Sequence, residues 1–124
     1  MKITSFNPLI ITRDPEPTIR LFEEMGFERH HTKTGIGEGM RTDVRMEDAN
    51  GFNVDVAGAD GEWTLIRINV DDFDEAIEFF TAHGFRKPRH ETAHKTVDTG
   101  SSKYTMLVSP TGFIVAISKH FRKS

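Results

Sequence analysis

There is no cysteine anywhere in the 124 residues. That excludes disulfides, thiolate nucleophiles and zinc–thiolate sites. No apolar run approaches the ~20 residues that span a bilayer, so no membrane partner is expected. The opening MKITSFNPLI lacks the apolar stretch and cleavage pattern of a secretory leader, and a cytoplasmic location is expected. Charge of one sign is also missing. Sixteen Lys and Arg stand against nineteen Asp and Glu, a formal net charge of −3, which gives no electrostatic footprint for nucleic acid. The closing KHFRKS is locally basic and reads as a solvated terminus. Trp and Tyr occur once each. What remains is ordinary globular composition, 36% apolar and 28% charged, enough for one domain with a core.

The chain is written twice. NGFNVDVAG, from Asn50, parallels TGFIVAISK, from Thr111. RDPEPTIRLFEEMGFERH likewise parallels DDFDEAIEFFTAHGFRKP. Gly26 and Gly84 lie 58 positions apart, Gly51 and Gly112 61 apart, so the second copy has gained three residues in between. Duplication of this length decides architecture before any local reading.

Each copy opens on an apolar run, 9–12 and 65–70. Ile66, Ile68 and Val70 alternate against Leu65, Arg67 and Asn69, the period of a strand. A helix follows. Asp14 is its N-cap with Pro15 at the first position in one copy, and Asp72 with Glu75 has capping-box spacing in the other. Ile19, Phe22 and Met25, and Ala76, Ile77 and Phe80, share one helical face. Gly26 and Gly84 end the helices. Three strands complete each copy, expected at 27–33, 40–47 and 52–57, then at 85–90, 104–109 and 113–118. TGIGEG, DANG, DTGSS and SPTG are the turns. The predicted fold is α+β: one domain of two tandem βαβββ units, about 4–58 and 62–120, forming a curved mixed sheet, a cup with helices on its outer face. Sheet edges and cup rims left by such units favour a homodimer.

NPLIITRDPEPTIRLFEEMGF, TLIRINVDDFDEAIEFFTAHGF, NGFNVDVA and SPTGFIVAI, in this order, resemble the vicinal oxygen chelate superfamily of glyoxalase I, bleomycin-resistance proteins and extradiol dioxygenases. The resemblance covers nearly the whole chain and implies the scaffold, not one chemistry. In metal-using members it implies ligands at the positions held here by Asn7, Asp55, Leu65 and Ala116. Leu65 and Ala116 have no lone pair, and a catalytic ion needs at least three good donors. No metal and no cofactor are therefore expected. The six histidines do not restore a site. His30 and His31 are adjacent and point to opposite faces of a strand. His90 and His94 share a face but lie about 13 Å apart if extended. His83 stands at a helix C-terminus, where its charge suits the dipole.

Alternation assigns the inner face. Asn7, Leu9 and Ile11 point one way, with Asn53 and Asp55 beside them, while Phe52, Val54 and Val56 pack under the helix. Leu65, Arg67 and Asn69 follow, then Ile114, Ala116 and Ser118. Arg41, Asp43 and Arg45 alternate with Met40, Thr42, Val44 and Met46. An apolar floor with a few polar groups suits a small molecule. The candidate ligand contacts are Asn7, Leu9, Asn53, Asp55, Leu65, Arg67, Asn69, Ile114 and Ala116. Arg67 either grips a carboxylate or phosphate of the ligand, or pairs with Asp55 or Asp43 in an empty cup. Trp63, beside Tyr104, Met106 and Val108, is either an aromatic wall or a rim residue. The polar ETAHKTVDTGSSK is the expected mobile rim. DTGSSK lacks the glycines and context of a phosphate loop.

Three functions compete. One is a metal lyase or dioxygenase whose donors lie elsewhere, which elemental analysis without stoichiometric metal would eliminate. The other two are metal-free. One is a metal-independent protein that sequesters a small molecule. The other is a metal-free lyase or isomerase in which Asp55 is the catalytic base and Arg67 and Asn7 stabilise an oxyanion.

Overall fold

The computed structural model describes residues 1–34, 40–88, 97–98 and 102–120. Eight strands and two helices follow in the order β1(Ile3–Thr12), α1(Pro15–Glu24), β2(Glu28–Thr34), β3(Met40–Glu47), β4(Asn53–Ala59), β5(Trp63–Val70), α2(Phe73–Ala82), β6(Val97–Asp98), β7(Ser102–Val108) and β8(Ile114–His120). They divide into two compact units. One is Asn7–Thr64, the other Leu65–Ser124 together with Met1–Phe6.

In the Asn7–Thr64 unit the strand order is β2-β3-β4-β1. β3 and β4 are antiparallel, and β1 runs parallel to β4 with Leu9 opposite Asp55. A parallel pair cannot be closed by a tight turn; α1 and the β2–β3 pair make the crossover. Ile19 of α1 packs on Val44, Met46, Val54 and Val56, with Ile10, Phe22 and Phe27 at the margin. Fully burying each such aliphatic side chain contributes about 1.5–3 kcal/mol. Pro15 opens the helix, its fixed φ suiting the first turn. The Asp14 side chain makes no cap hydrogen bond.

The second unit repeats this plan as β5-β8-β7-β6, with β5 parallel to β8 and β7 antiparallel to it. Phe73 and Ala76 of α2 pack on Ile68, Val70, Leu107, Val115 and Ile117. Here the cap is made: Asp72 Oδ1 accepts from Glu75 N–H at 3.0 Å. The β3–β4 and β7–β8 turns repeat their backbone bonds: Asp48 N–H donates to the Phe52 carbonyl and Gly51 N–H to that of Asp48, as Ser109 N–H does to Phe113 and Gly112 N–H to Ser109. Asp48 Oδ1 also accepts from the N–H groups of Asn50 and Phe52, whereas Ser109 Oγ accepts from those of Gly112 and Phe113.

Several expectations are corrected. Of the strand expected at 85–90, the described residues show a single bridge, Arg86 with Val108 at the end of β7, and β6 pairs with the other part of β7. Pro88 has no N–H to give a ladder, and positions 89 and 90 lie outside the described residues. Phe52 does not pack under the helix; it precedes β4 and is 67% exposed. Met25 follows α1 and is also exposed. β1 and β5 begin earlier than the apolar runs imply. GIGEG of the first expected turn and most of ETAHKTVDTGSSK, with His90 and His94, lie outside the described residues.

Candidate functional site

In each unit the helix covers one face of its strands. Alternation puts Asn7, Leu9 and Ile11 of β1, Arg45 of β3, and Asp55 and Ala57 of β4 on the opposite face of the first unit. Leu9, Ile11, Asp55 and Ala57 are almost wholly buried there. Asn53 is half-buried and turns its amide to the Gly51 carbonyl at 3.2 Å. In the other unit the corresponding face holds Leu65, Arg67 and Asn69 of β5 and Ala116 and Ser118 of β8, all buried, with Ile114 half-buried. Asn69 Nδ2 donates to Ser5 Oγ at 2.6 Å. Trp63 is half-buried against Gly61, whose missing Cβ would stand 2.2 Å from the indole ring.

One constellation stands out. Arg45 Nε donates to Asp55 Oδ1 at 2.8 Å, and Nη2 donates to Asp55 Oδ2 at 2.9 Å and to Asn7 Oδ1 at 3.1 Å. This is a bidentate fork on a carboxylate, the stronger class of charged hydrogen bond. The Asp55 side chain is 1% exposed and that of Arg45 31%. Asn7 is held from its other side, its Nδ2 donating to the Pro8 carbonyl at 2.9 Å. The bond to Asp55 raises the Arg45 pKa above its ordinary value. Burial works against that rise, while the charges of Asp55, Asp43 and Glu47 add to it.

Arg45 was not among the residues chosen from sequence, although alternation had put it on the polar side of its strand. The missing piece is register. The β3–β4 turn sets Glu47 opposite Asn53, and two steps back from the turn Arg45 meets Asp55. Counting back from DANG would have found it.

The same count in the duplicate gives a contrast. By the 58- and 61-residue offsets, Asn7, Arg45 and Asp55 correspond to Leu65, Met106 and Ala116. Met106 indeed pairs with Ala116. One unit has an ionic trio and the other a hydrocarbon trio at equivalent places in the same local scaffold.

The donor set does not fit a transition metal. Leu65 and Ala116 offer nothing, and the oxygens of Asn7 and Asp55 are engaged by a guanidinium. Among the described residues no group of three or more His, Asp or Glu side chains could hold an ion. His30 lies 3.8 Å from Glu47 at an exposed position. His83 Nδ1 lies 2.8 Å from the Phe79 carbonyl at the end of α2. Among the described residues no helix is long and apolar enough to cross a membrane.

No protein-family model matches the chain, and no curated protein matches it in sequence. Solved structures do. The chain is similar to methylmalonyl-CoA epimerase from Mycobacterium tuberculosis, at 14% identity over 97% of this chain and 90% of that one, with a TM-score of 0.64. It is similar to a glyoxalase/bleomycin resistance protein/dioxygenase superfamily member from Vibrio splendidus, at 14% identity over 95% and 99% of the two chains, TM-score 0.59. It is also similar to a glyoxalase I variant from Zea mays, at 14% identity and TM-score 0.64, where it spans 98% of its own length and 45% of the maize chain. With its duplicated units, this chain has the vicinal oxygen chelate fold of the glyoxalase, bleomycin-resistance and dioxygenase proteins.

Proposed function

We propose that the chain is a metal-independent small-molecule-binding protein that takes its ligand on the face bearing Asn7, Arg45 and Asp55. One observation supports this above all: the internal contrast between the two units. A buried ion pair is a poor stabiliser, because desolvation offsets most of its attraction, and apolar residues of similar volume often do as well or better. The second unit builds the same strands with Leu65, Met106 and Ala116 in those places. Folding therefore does not require the ionic trio, and binding is what it serves. Buried Leu9 and Ala57 supply the apolar surroundings in which a few oriented polar groups give specificity.

The alternative, Asp55 as general base with Arg67 and Asn7 on a developing oxyanion, needs a carboxylate oxygen turned to a substrate proton. Both oxygens accept from Arg45 and the side chain is 1% exposed, so a substrate proton would have to reach a buried oxygen already shared with a cation. The binding reading needs no such approach. Turnover abolished by Asp55→Asn, with binding kept, would favour the base reading instead.

The test copies one unit into the other. The triple variant Asn7→Leu, Arg45→Met, Asp55→Ala should fold, its stability unchanged or raised by about 1–4 kcal/mol. In a small-molecule fragment screen by NMR, hits should perturb the backbone amides around Asn7 and Asp55 in the wild type and not in the triple variant. Equal binding by the two proteins would overturn the proposal.

A further inference from the structure

The Arg45 guanidinium is filled on one side and open on the other. Nε and Nη2 make three bonds inward, to Asp55 and Asn7. Nη1 and its two N–H groups have no partner among the described residues, and 31% of the side chain is exposed. Three oxygen contacts converge on one cation, and a divalent ion drawn to the same oxygens would be repelled by it at contact distance. The charge around the site also restricts the ligand. Asp55 balances Arg45, and Asp43 and Glu47, two residues to either side on β3, share its face of the strand. The neighbourhood is then neutral to negative. A ligand carboxylate would meet that field, whereas an uncharged carbonyl oxygen can accept from Nη1 without opposing it.

Resting on the binding function above, we propose that Arg45 is a tethered cation: it fills the Asn7–Asp55 oxygen pair, closes it to divalent metal, and offers its Nη1 edge to an uncharged carbonyl oxygen of the ligand. Asp55 and Asn7 are then positioning residues. They aim Arg45 and do not themselves touch the ligand.

Two probes test this on the full chain. Acetamide and acetate have nearly the same shape and differ in charge. In titrations at equal ionic strength, read on the Arg45 side-chain nitrogen signals, acetamide should shift Nη saturably. Acetate should act at least about tenfold more weakly. Arg45→Lys, which keeps a positive charge beside Asp55 without the planar fork, should retain the fold and lose about tenfold of the acetamide response. The second probe is Ni²⁺ alone. Wild type should not bind it saturably. Arg45→His, which puts an imidazole beside the freed oxygens, should bind it about 100-fold more tightly, and adding Asp55→Asn should remove that gain. A stronger response to acetate overturns the inference. So does saturable Ni²⁺ binding by wild type that Asp55→Asn abolishes, or equal Ni²⁺ affinity in wild type and folded Arg45→His. Fragments that move the Asn7 and Asp55 amides while leaving Arg45 Nη unmoved would sink this inference and spare the binding function. A triple variant that still binds would sink the binding function itself.

Discussion

Removing one partner of the Arg45–Asp55 pair strands the other. Arg45→Leu leaves a carboxylate with no exposure and should cost about 3–5 kcal/mol in urea-unfolding measurements. Asp55→Ala should cost less, because the Arg45 guanidinium keeps its bond to Asn7 and its exposed edge. The double change should cost far less than the two added together, because the residues are in direct contact. Two further carboxylates contribute to behaviour in acid. Asp71, first through the Lys2 backbone N–H, and Glu62, first through that of Arg13, are held below their ordinary values of 3.8 and 4.5. A folded-state pKa below the unfolded one stabilises the fold above the unfolded value. That contribution disappears as pH falls through the folded value. The urea midpoint should therefore drop as pH is lowered from 5 to about 3. Asp71→Asn should make that drop shallower, and an unchanged profile would show that the Lys2 contact is not kept in solution.

At the level of elements, the two helix ends differ in a way the sequence conceals. Gly26 and Gly84 both have positive φ, 105° and 87°. A Cβ at Gly26 would meet nothing within 4 Å, whereas one at Gly84 would stand 2.8 Å from Pro110 Cγ. Gly26→Ala should cost about 1–2 kcal/mol from backbone strain alone. Gly84→Ala should cost more, since the Pro110 ring must also move, and comparing the two midpoints checks the order. The helix starts differ too. Asp72→Ala removes a cap and should cost about 1 kcal/mol, while Asp14→Ala, with no cap bond to lose, should cost less. Both pairs look equivalent in sequence because the repeat is judged by residue type, and contacts made across the fold are invisible to it. The same reason explains what could be read of the site. Helices, closing glycines and strand alternation are local, and they emerged from periodicity. Asn7 and Asp55 came from the repeat and the resemblance. Arg45 needed the register of two strands joined by a turn, and Phe52 needed the knowledge that β4 begins one residue later. Of the strand expected at 85–90, Arg86 keeps the bridge to Val108 that Glu28 makes to Glu47 in the first copy, and Pro88, with no N–H to give, has no counterpart there.

For the molecule as a whole, the two cores are the main source of stability. Ile117, fully buried in one, and Val56, fully buried in the other, have equivalent neighbours beneath α2 and α1. Ile117→Ala should destabilise by about 2–5 kcal/mol, and Val56→Ala, which removes less side chain, by less. Exhaustive chelation should leave the thermal midpoint unchanged, because the oxygen-bearing positions are occupied by Arg45. A fall in midpoint on adding EDTA would point to a structural ion. One further feature concerns time more than energy. The first six residues fold with Leu65–Ser124, and the whole of Asn7–Thr64 intervenes. Lys2 reaches Asp71 and Ser5 reaches Asn69 only after that intervening stretch has left the ribosome. At about 5–20 residues per second, the start of β1 must wait several seconds, dangling, before its hydrogen-bonding partners exist.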